Sequence, residues 1–370
     1  MSGSTLGTIF KITTWGESHG KGIGVVVDGC PAGLSIDEEL IQTYLDRRKP
    51  GQTKFATPRI EADKVHILSG VFEGKTTGTP ISLAIFNETA RSSDYSEIAS
   101  YYRPGHADFT FDSKYGFRDY RGGGRSSGRE TSGRVAAGAI ASAILKELGI
   151  EVCAYTKSIG PIKIDYKNCK KENRDLSPLC MPDLEASNAA EEFLTSAMEN
   201  QDSVGGIIEC IISGVPAGIG EPVFDKLDAS LAKAIMSVGA VKGVEIGDGF
   251  EVANHFGSYN NDNFIQEGSQ LKKISNHAGG ILGGISDGSE IILRAAIKPT
   301  PSIAKSQQTV NKNGENITVN IKGRHDPIIV PRAVVVIESM AALTLLDLML
   351  QSMSSRLDHI KTFFSDVKTK

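Results

Sequence analysis

Residues 121–149, RGGGRSSGRETSGRVAAGAIASAILKELG, place a glycine- and arginine-rich loop directly before an apolar stretch with helical spacing. The three glycines of RGGGR favour positive φ angles and do not support a helix. From residue 131 onward apolar side chains recur at helical intervals, and the pattern ends at Gly149. The sequence therefore predicts a helix over 131–148, with Thr131 and Ser132 as candidate N-caps.

The loop concentrates positive charge at the N-terminus of this helix, where free backbone N–H groups and the helix dipole already favour an anion. Four guanidiniums surround that end: Arg121, Arg125, Arg129 and Arg134. Together with the glycines they indicate a cradle for a phosphate or a carboxylate. The alternative is a solvated loop whose arginines pair with Asp119 and Glu130, and the size of the cluster favours the anion site.

The composition indicates that the anion site is a local feature of a cytoplasmic protein. The 40 basic and 44 acidic residues give a net charge of 40 − 44 = −4, which excludes a global attraction to nucleic acid or to an anionic membrane. Five well-separated cysteines without a C-x-x-C pair indicate a reducing compartment. The N-terminus lacks a signal-peptide pattern, and the most apolar window is interrupted by Pro331 and Arg332. We therefore expect a cytoplasmic protein without a membrane span.

Strand and helix patterns alternate along the 370 residues, as in an α/β protein. Short β-branched runs predict strands over 7–13, 22–29, 81–86, 205–214 and 290–297. Helical periodicity predicts helices over 37–48, 131–148, 188–200, 224–237 and 336–352. Residues 24–45 and 208–235 share the order strand, Gly-x-Pro-Ala-Gly turn and amphipathic helix, which favours an internal twofold repeat.

The glycine loop resembles several known ligand-binding motifs but matches none of them. GGRSSGRE, residues 123–130, has the gap of a P-loop but offers Arg129 and Glu130 where Lys and Ser or Thr are needed. The loop also lacks the glycine spacing of a dinucleotide fold. An RNA-binding Gly/Arg segment stays conceivable, although the negative net charge argues against it. The histidine and cysteine spacings match no zinc motif.

Three further loops carry titratable groups beside glycine or proline. WGESHG contains Ser18 and His19, RPGHAD contains His106, and GRHDP contains Arg324 and Asp326. A histidine in a glycine-flanked loop can approach a substrate and exchange a proton near neutral pH. One such histidine is more often structural, but three loops of this kind favour an active site.

Three long segments resemble the signature segments of the chorismate synthase family, in the same order: WGESHG, RPGHADFTFDSKYGFRDYRGGGRSSGRET and GRHDPIIVPRA. QDSVGG, VPAGIGEPVFDKLDA, NHAGGILGGISDG and KPTPSI agree as well, so the resemblance covers nearly the whole chain. It implies the family's α/β sandwich, in which helices are enclosed between two mainly antiparallel sheets, as a single domain over residues 1–370. It also implies assembly as a homotetramer.

The resemblance implies an enzyme of the shikimate pathway for aromatic amino acid biosynthesis. This lyase converts 5-enolpyruvylshikimate 3-phosphate to chorismate by an anti-1,4-elimination of phosphate, and it requires reduced FMN (FMNH2) without net redox change. Substrate and cofactor together bring several phosphate and carboxylate groups close to one another. A dense arginine cluster would offset their repulsion, which accounts for the cationic loop.

Catalytic roles are implied where the motifs match. His19 resembles the histidine that assists departure of the substrate phosphate, and His106 resembles the histidine that contacts the reduced flavin near N1. Asp326, through Ser18, resembles the relay that works with flavin N5 in removing the ring proton. These assignments are chemically consistent, because a histidine can neutralise a leaving oxyanion and a carboxylate can act as a base.

The family pattern also implies two sets of binding residues. The cofactor set is Arg125, Ser126, Ser127, Gly239, Ala240, Gly283, Lys298, Pro299, Thr300, Pro301, Ser302 and Arg324. The substrate set is Arg48, Lys54, Arg103, Arg129 and Arg134. The sequence departs from the family pattern at Gly239, where Asn is usual, at Lys54, where Arg is common, and at Gly128, where Ala is usual.

Two alternatives stay open at this point: a flavin oxidoreductase with net hydride transfer, and a non-catalytic binder of phosphorylated ligands on the same fold. The presence of His19, His106 and Asp326 favours the synthase over the binder. Some family members also reduce flavin with NADPH. This sequence shows no additional reductase domain and no inserted dinucleotide fingerprint, so we expect an external flavin reductase or reductant as a partner.

Overall fold

A computed structural model of the chain describes residues 3–51, 53–55, 62–87, 97–268, 270–321 and 326–368. Its strands are β1 (Thr5–Leu6), β2 (Lys11–Gly16), β3 (Gly22–Asp28), β4 (Val65–Ile67), β5 (Val71–Phe72), β6 (Lys75–Thr76), β7 (Ile81–Phe86), β8 (Glu151–Ile159), β9 (Ile162–Lys163), β10 (Gly206–Ser213), β11 (Val241–Ile246), β12 (Phe264–Glu267), β13 (Gln270–Lys273), β14 (Ile281–Leu282), β15 (Ile285–Ser286), β16 (Ile291–Ile297), β17 (Gln307–Val310) and β18 (Asn316–Val319). Its α-helices are α1 (Glu38–Arg48), α2 (Asp108–Tyr115), α3 (Thr131–Glu147), α4 (Asn173–Leu176), α5 (Leu184–Glu199), α6 (Leu227–Met236), α7 (Gly257–Asn260), α8 (Val330–Ser352) and α9 (Leu357–Lys368).

Two five-stranded sheets dominate the part of the chain that is described. The first has the order β1-β2-β3-β7-β4, and the second has the order β11-β16-β10-β8-β9. Neighbouring strands are antiparallel throughout both sheets. The prediction of two mainly antiparallel sheets is therefore confirmed.

Four helices fill the space between the sheets. Helices α1 and α3 lie against the first sheet, α6 and α8 lie against the second, and α3 packs on α8. The buried apolar side chains form one continuous cluster with members from both sheets and all four helices. Burial of this shared apolar surface is what joins the two sheets into one sandwich.

Helix α8 is apolar on nearly every side because protein surrounds it. It is long and apolar enough to cross a membrane, but 83% of its most apolar window is buried inside the fold. It contacts α1, α3 and α6 as well as strands β8 and β10. A helix that is hydrophobic all round is typical of such a core. It starts at Val330 and not at residue 336 as predicted, since Pro331 is tolerated in the first turn of a helix.

The start of α3 differs from the prediction in its capping. A 3₁₀ turn, Gly128–Glu130, leads directly into α3, so Thr131 and Ser132 lie inside helical backbone and are not N-caps. Their hydroxyls donate back to carbonyl oxygens three residues earlier. Ser127 caps the turn instead, because its Oγ accepts from the N–H of Arg129.

The two halves of the chain connect their elements in the same way. Strands β2, β3, β7 and β4 of the first sheet correspond in order to β8, β10, β16 and β11 of the second. In each half a helix follows the second of these strands, and a small hairpin precedes the strand that pairs with it. Thr76 Oγ1 donates to the carbonyl of Pro31 at 2.7 Å, and Ser286 Oγ donates to the carbonyl of Pro216 at 2.6 Å. These features support the internal repeat, which stays a prediction.

The contact between α3 and α8 leaves no room for a side chain at Gly138. A Cβ at Gly138 would lie 2.7 Å from the Cα of Ser339, which is completely buried. We expect Gly138→Ala to push the helices apart and to lower the free energy of unfolding by about 1–3 kcal/mol, as overpacking usually does. Thermal unfolding followed by circular dichroism measures this change.

Gly257→Ala in α7 is the matched control for this substitution. No atom lies within 4 Å of a Cβ at Gly257, and its φ is outside the left-handed region. Its melting temperature should match that of the parent protein. A Gly138→Ala protein as stable as this control would contradict the tight contact between α3 and α8.

Candidate active site

The C-terminus of α1 and the N-termini of α3 and α8 converge at Arg48. Arg48 is the last residue of α1, where the helix dipole favours a cation. Its Nη1 donates to the carbonyl of Gly128, just before α3, at 3.4 Å. Arg332, in the first turn of α8, donates from Nε to the carbonyl of Arg48 at 3.0 Å. The ends of three helices thus meet in one region, which we call the helix junction.

Asp63 lies between two predicted substrate arginines in the helix junction. Its Oδ2 accepts from Nη2 of Arg48, and its Oδ1 accepts from Nη1 of Arg129. Asp63 is only 3% exposed and Arg48 only 2%. Burial by itself would raise the pKa of Asp63, but the two guanidiniums outweigh it and hold that pKa below the ordinary value. The carboxylate is therefore charged near neutral pH and holds the arginine pair together.

The WGESHG segment forms a turn after β2 that lies against the glycine loop. Ser18 Oγ and His19 Nδ1 are hydrogen-bonded at 3.1 Å, and Ser18 is buried. Gly122 packs directly on this pair, because a Cβ at Gly122 would overlap the His19 ring. Gly122 also has a φ of +64°, which a glycine adopts without strain. The first glycine of the loop thus allows close approach to the predicted catalytic histidine.

Asn87 connects the His19 turn to Arg129. Its Nδ2 donates to the carbonyls of Glu17 at 3.1 Å and Gly20 at 2.8 Å, on either side of the histidine. Its Oδ1 accepts from Nε of Arg129 at 2.6 Å. One amide therefore sets the histidine turn relative to a predicted substrate arginine.

Asp326 lies on the α8 side of the helix junction. Its Oδ2 accepts from Nη1 of Arg332 at 2.7 Å. Within the described residues, Ser18 is hydrogen-bonded to His19 and Asp326 to Arg332, so the relay from Asp326 through Ser18 stays a prediction. Arg324, a predicted cofactor residue, lies outside the described residues.

The second predicted histidine lies against the KPTPS segment. His106 Nε2 and Ser302 Oγ are hydrogen-bonded at 2.7 Å. Lys298 Nζ donates to the carbonyl of Gly105 at 3.0 Å. A Cβ at Gly105 would lie 2.7 Å from the Cβ of Pro301, so the two segments fit closely. The fold thus brings His106 together with three members of the predicted cofactor set.

The surroundings of the KPTPS segment suit a polar, anionic ligand. Burial lowers the pKa of Lys298, and the nearby charge of Lys242 acts in the same direction. The Thr300 hydroxyl is buried and has no hydrogen-bond partner in the described part of the chain. The backbone N–H of Lys298 donates to the carbonyl of Ala240, beside Gly239, whose missing Cβ leaves open space. A buried hydroxyl without a partner requires an acceptor or donor, which a ligand would supply.

Gly283 lies apart from the other predicted cofactor residues. It forms the turn of the β14–β15 hairpin, and the next carbonyl, of Gly284, accepts from the N–H of Leu227 at the start of α6. Gly239 and Ala240 follow the opposite end of α6. Because α6 has 10 residues, its two ends are about 15 Å apart.

Arg103 is held by a buried carboxylate. Its Nε and Nη2 each donate to Asp108 at 2.8 Å, and Nη1 of Arg118 lies 2.8 Å from the same carboxylate. Burial would raise the pKa of Asp108, but the hydrogen bonds and charge of Arg103, together with Arg118, lower it. Nε of Arg118 also lies 3.5 Å from Asp112, so the pair of guanidiniums is matched by two carboxylates.

Several arginines of the glycine loop pair with Asp119 or Glu130, as in the alternative of a solvated loop. Arg134 Nε donates to Glu130 at 2.8 Å, and Arg125 Nη2 lies 3.7 Å from the same carboxylate. Arg125 also donates to backbone carbonyls of β2. Arg121 pairs with Asp119 at 2.7 Å. These guanidiniums position the loop, and their ligand contacts stay predictions.

The remaining predicted residues lie at the edge of the loop or beyond it. Lys54 is exposed and pairs with Glu191 at 3.0 Å. Ser126 Oγ donates to the carbonyl of Gly123 at 2.7 Å, while Ser127 caps the turn before α3. None of these contacts tests a ligand role.

Three residues that organise the site are not among those predicted from the sequence: Asp63, Asn87 and Arg332. Arg332 follows Pro331 in a segment already recognised, so it could have been selected. Asp63 and Asn87 carry no local signal, because the arginine they share lies far along the chain and only folding brings it close.

Fold and site together define a class of protein: an α/β enzyme with a cationic site for a small, multiply charged ligand and a histidine in each of two separate loops. Among the residues described, no group of three or more His, Cys, Asp or Glu side chains is arranged to hold a metal ion.

Comparison with known proteins gives the particular family. The sequence model described as chorismate synthase matches residues 10–350. A chorismate synthase of Lachnoclostridium phytofermentans is 76% identical over 98% of this chain and 100% of its own length. One from Methanococcoides burtonii is 56% identical over 95% and 97% of the two chains. A crystal structure of a chorismate synthase superposes with a TM-score of 0.77 at 32% identity, covering 98% of each chain.

The chain belongs to the chorismate synthase family. It is therefore a lyase of aromatic biosynthesis that converts 5-enolpyruvylshikimate 3-phosphate to chorismate, as the motifs predict. The family match favours this activity over the flavin oxidoreductase and over the non-catalytic binder.

The contact of Gly122 with His19 can be tested by adding one methyl group. We expect Gly122→Ala to displace the His19 ring and to lower kcat/KM by about 10²-fold or more, the loss expected when a proton-transfer group is misplaced. Steady-state formation of chorismate measures this change.

Gly123→Ala is the matched control, because Gly123 also has a positive φ, of +93°, and the backbone strain is comparable. Its Cβ would lie 3.6 Å from Ser126 Oγ and would not touch His19. Equal losses in the two variants would show that backbone strain, and not the histidine, is responsible.

Proposed function

We propose that the elimination uses reduced FMN and that the helix junction binds the phosphate end of the substrate. The observation that carries the proposal is the linkage of two arginines to the His19 turn through Asp63 and Asn87. It combines a site for an oxyanion with a group that can donate a proton to it.

Departure of phosphate builds negative charge on the oxygen that leaves the ring. Guanidiniums stabilise such charge strongly when they are fixed and partly desolvated, as Arg48 and Arg129 are. An imidazolium at His19 would donate a proton to the departing group. Ser18 orients this ring through Nδ1, so we assign the proton transfer to Nε2.

Removal of the ring proton requires a base, and we assign this role to Asp326 on the α8 side of the helix junction. Asp326 is fixed there by Arg332, and Pro327 next to it accepts a hydrogen bond from the N–H of Val204 at 2.9 Å. Ser203 in turn donates to the carbonyl of Thr300 at 2.6 Å. These contacts link Asp326 to the KPTPS segment and support a role for it close to the cofactor.

The KPTPS segment and its neighbours would hold the cofactor. Lys298 and the Thr300 hydroxyl, which has no partner among the described residues, suit a phosphate or a ring oxygen, and the open space at Gly239 admits a ligand beside them. When bound, reduced FMN supplies electron density to the ring that loses phosphate. His106, oriented by Ser302, would contact the cofactor's charged edge and stabilise the anionic form. Arg125, Ser126, Ser127, Gly283 and Arg324 complete the proposed set.

Assembly, location and reductant are part of the same proposal. Exposed aromatic side chains support a homotetramer in which these surfaces are covered. Phe224, Phe250 and Phe256 are 88%, 78% and 85% exposed.

The cysteines are free thiols, which supports a reducing cytoplasm: Cys30, Cys153, Cys169, Cys180 and Cys210. An external reductase or reductant, and not NADPH bound by this single domain, would reduce the flavin.

Anaerobic turnover with pre-reduced FMN tests the proposal. Phosphate release and the flavin spectrum are followed together, and we expect one phosphate per chorismate while the flavin stays reduced. Accumulation of one oxidised flavin per product would favour the oxidoreductase instead. Binding without any phosphate release would favour the non-catalytic binder.

The two histidines should affect this assay differently when replaced. His19→Ala should slow phosphate release, and His106→Ala should slow turnover, each by about 10²–10⁴-fold, the range typical of a positioned proton donor or acceptor. Only His106→Ala should also weaken FMN binding, because only His106 belongs to the cofactor region. His359→Ala, an exposed histidine of α9, is the control and should behave as the parent. Parent-like turnover of His106→Ala would rule out its role.

A further inference from the structure

Asp63 belongs to none of the signature segments, yet it occupies the centre of the helix junction. It is 3% exposed, and its two carboxylate oxygens are divided between two guanidiniums. Its backbone has a φ of +46°, in the left-handed region that Asp adopts at a cost. A strained, buried carboxylate persists only where its surroundings fix it.

The arginine pair needs such a carboxylate. Two guanidiniums about 4 Å apart repel by about 4 kcal/mol at an effective dielectric constant of 20, and a charge of opposite sign between them offsets this repulsion. Nε of Arg48 is buried and has no hydrogen-bond partner among the described residues. Asp63 thus holds the pair together while leaving a donor of Arg48 without an acceptor. An oxyanion of a ligand would satisfy that donor.

Asn87 fixes Arg129 from the opposite side. It accepts from Nε of Arg129 while Asp63 accepts from Nη1, so two separate edges of the guanidinium are held. A planar guanidinium held at two edges has a defined orientation. Because the same amide also donates to the turn that contains His19, it fixes the orientation of the guanidinium relative to that turn.

We propose that Asp63 is a positioning residue that holds Arg48 and Arg129 at the spacing at which both bind one oxyanion group of the substrate. Asn87 places that group beside His19. The inference rests on the proposed function and deepens it, because the group beside the histidine that protonates the leaving oxygen is the phosphate. Asp63 itself does not touch the substrate.

A positioning role predicts a specific kinetic pattern. Misplaced arginines would bind the phosphate less tightly before the reaction and would stabilise its departure less, so the dissociation constant and KM of the substrate should rise, with a smaller fall in kcat. A purely structural role would lower the melting temperature and leave the dissociation constant of the folded fraction unchanged.

Asp63→Asn removes the charge and one acceptor while keeping the shape of the side chain. We expect the dissociation constant for 5-enolpyruvylshikimate 3-phosphate, measured by calorimetry with oxidised FMN present, to rise by at least about tenfold. KM with reduced FMN should rise in parallel, and kcat should fall by less. An unchanged dissociation constant would overturn the proposal.

Asp262→Asn is the matched control for loss of a buried carboxylate. Asp262 accepts from Lys273 at 3.2 Å and from Ser275 at 2.7 Å, in a region away from the helix junction. It should lose stability as Asp63→Asn does but keep the parent dissociation constant. If both variants weaken substrate binding equally, general destabilisation is the cause and the positioning role is wrong.

A double-mutant cycle tests whether Asp63 acts through Arg129. In an Arg129→Lys background, Asp63→Asn should weaken binding much less than in the parent, because the oriented guanidinium is already lost. Multiplicative losses would overturn the inference. Should Asp63→Asn fail to fold, Asn87→Ala provides the second variant, since it releases the other edge of the same guanidinium. Parent-like substrate binding by Asn87→Ala would then count against the proposal.

The binding experiments on Asp63 and the turnover assay for the proposed function can fail independently of each other. Calorimetric binding of the substrate does not require turnover, whereas the anaerobic assay of the parent does. A parent protein that binds substrate but releases no phosphate would refute the proposed chemistry and leave the role of Asp63 to be decided by the binding data.

Discussion

The packing of α3 against α8 between two sheets is the constraint on which the rest of the structure depends. Each sheet has an apolar inner face, and α8 is apolar on nearly every side, so none of these surfaces can face water. The close approach at Gly138 and Ser339 fixes how the helices cross. Their N-termini consequently emerge at the same end of the sandwich, where the last residue of α1 also lies.

This convergence brings like charges close together, and buried carboxylates offset their repulsion. Helix N-termini and arginines are brought into a poorly solvated region, where like charges repel more strongly than in water. Carboxylates are divided between guanidiniums at two places, Asp63 with Arg48 and Arg129, and Asp108 with Arg103 and Arg118. Each shared carboxylate offsets the repulsion between its two guanidiniums, while Nε of Arg48 has no partner among the described residues and is available to a ligand anion.

The two halves of the chain contribute different parts of the site. The half built on the first sheet supplies the His19 turn, Arg48 and Arg129, while the half built on the second supplies the KPTPS segment and Ala240. Asp326 joins the two through Pro327 and Arg332. The residues proposed to bind substrate and those proposed to bind the cofactor are therefore linked only because the sheets share one helical layer.

The sequence by itself determined the alternation of strands and helices, the glycine loop before α3 and the three histidine or aspartate loops, because these are local patterns of spacing, turn chemistry and charge. Its long signature segments also identified the family, and with it the activity. Only the tertiary structure decided that Gly122 packs on His19, that several loop arginines pair internally, and that Asp63 and Asn87 both accept hydrogen bonds from Arg129. The physical reason is that a hydrogen bond between residues 63 and 129 leaves no periodic trace in either segment; it exists only after burial of the helices brings distant charges within reach of each other.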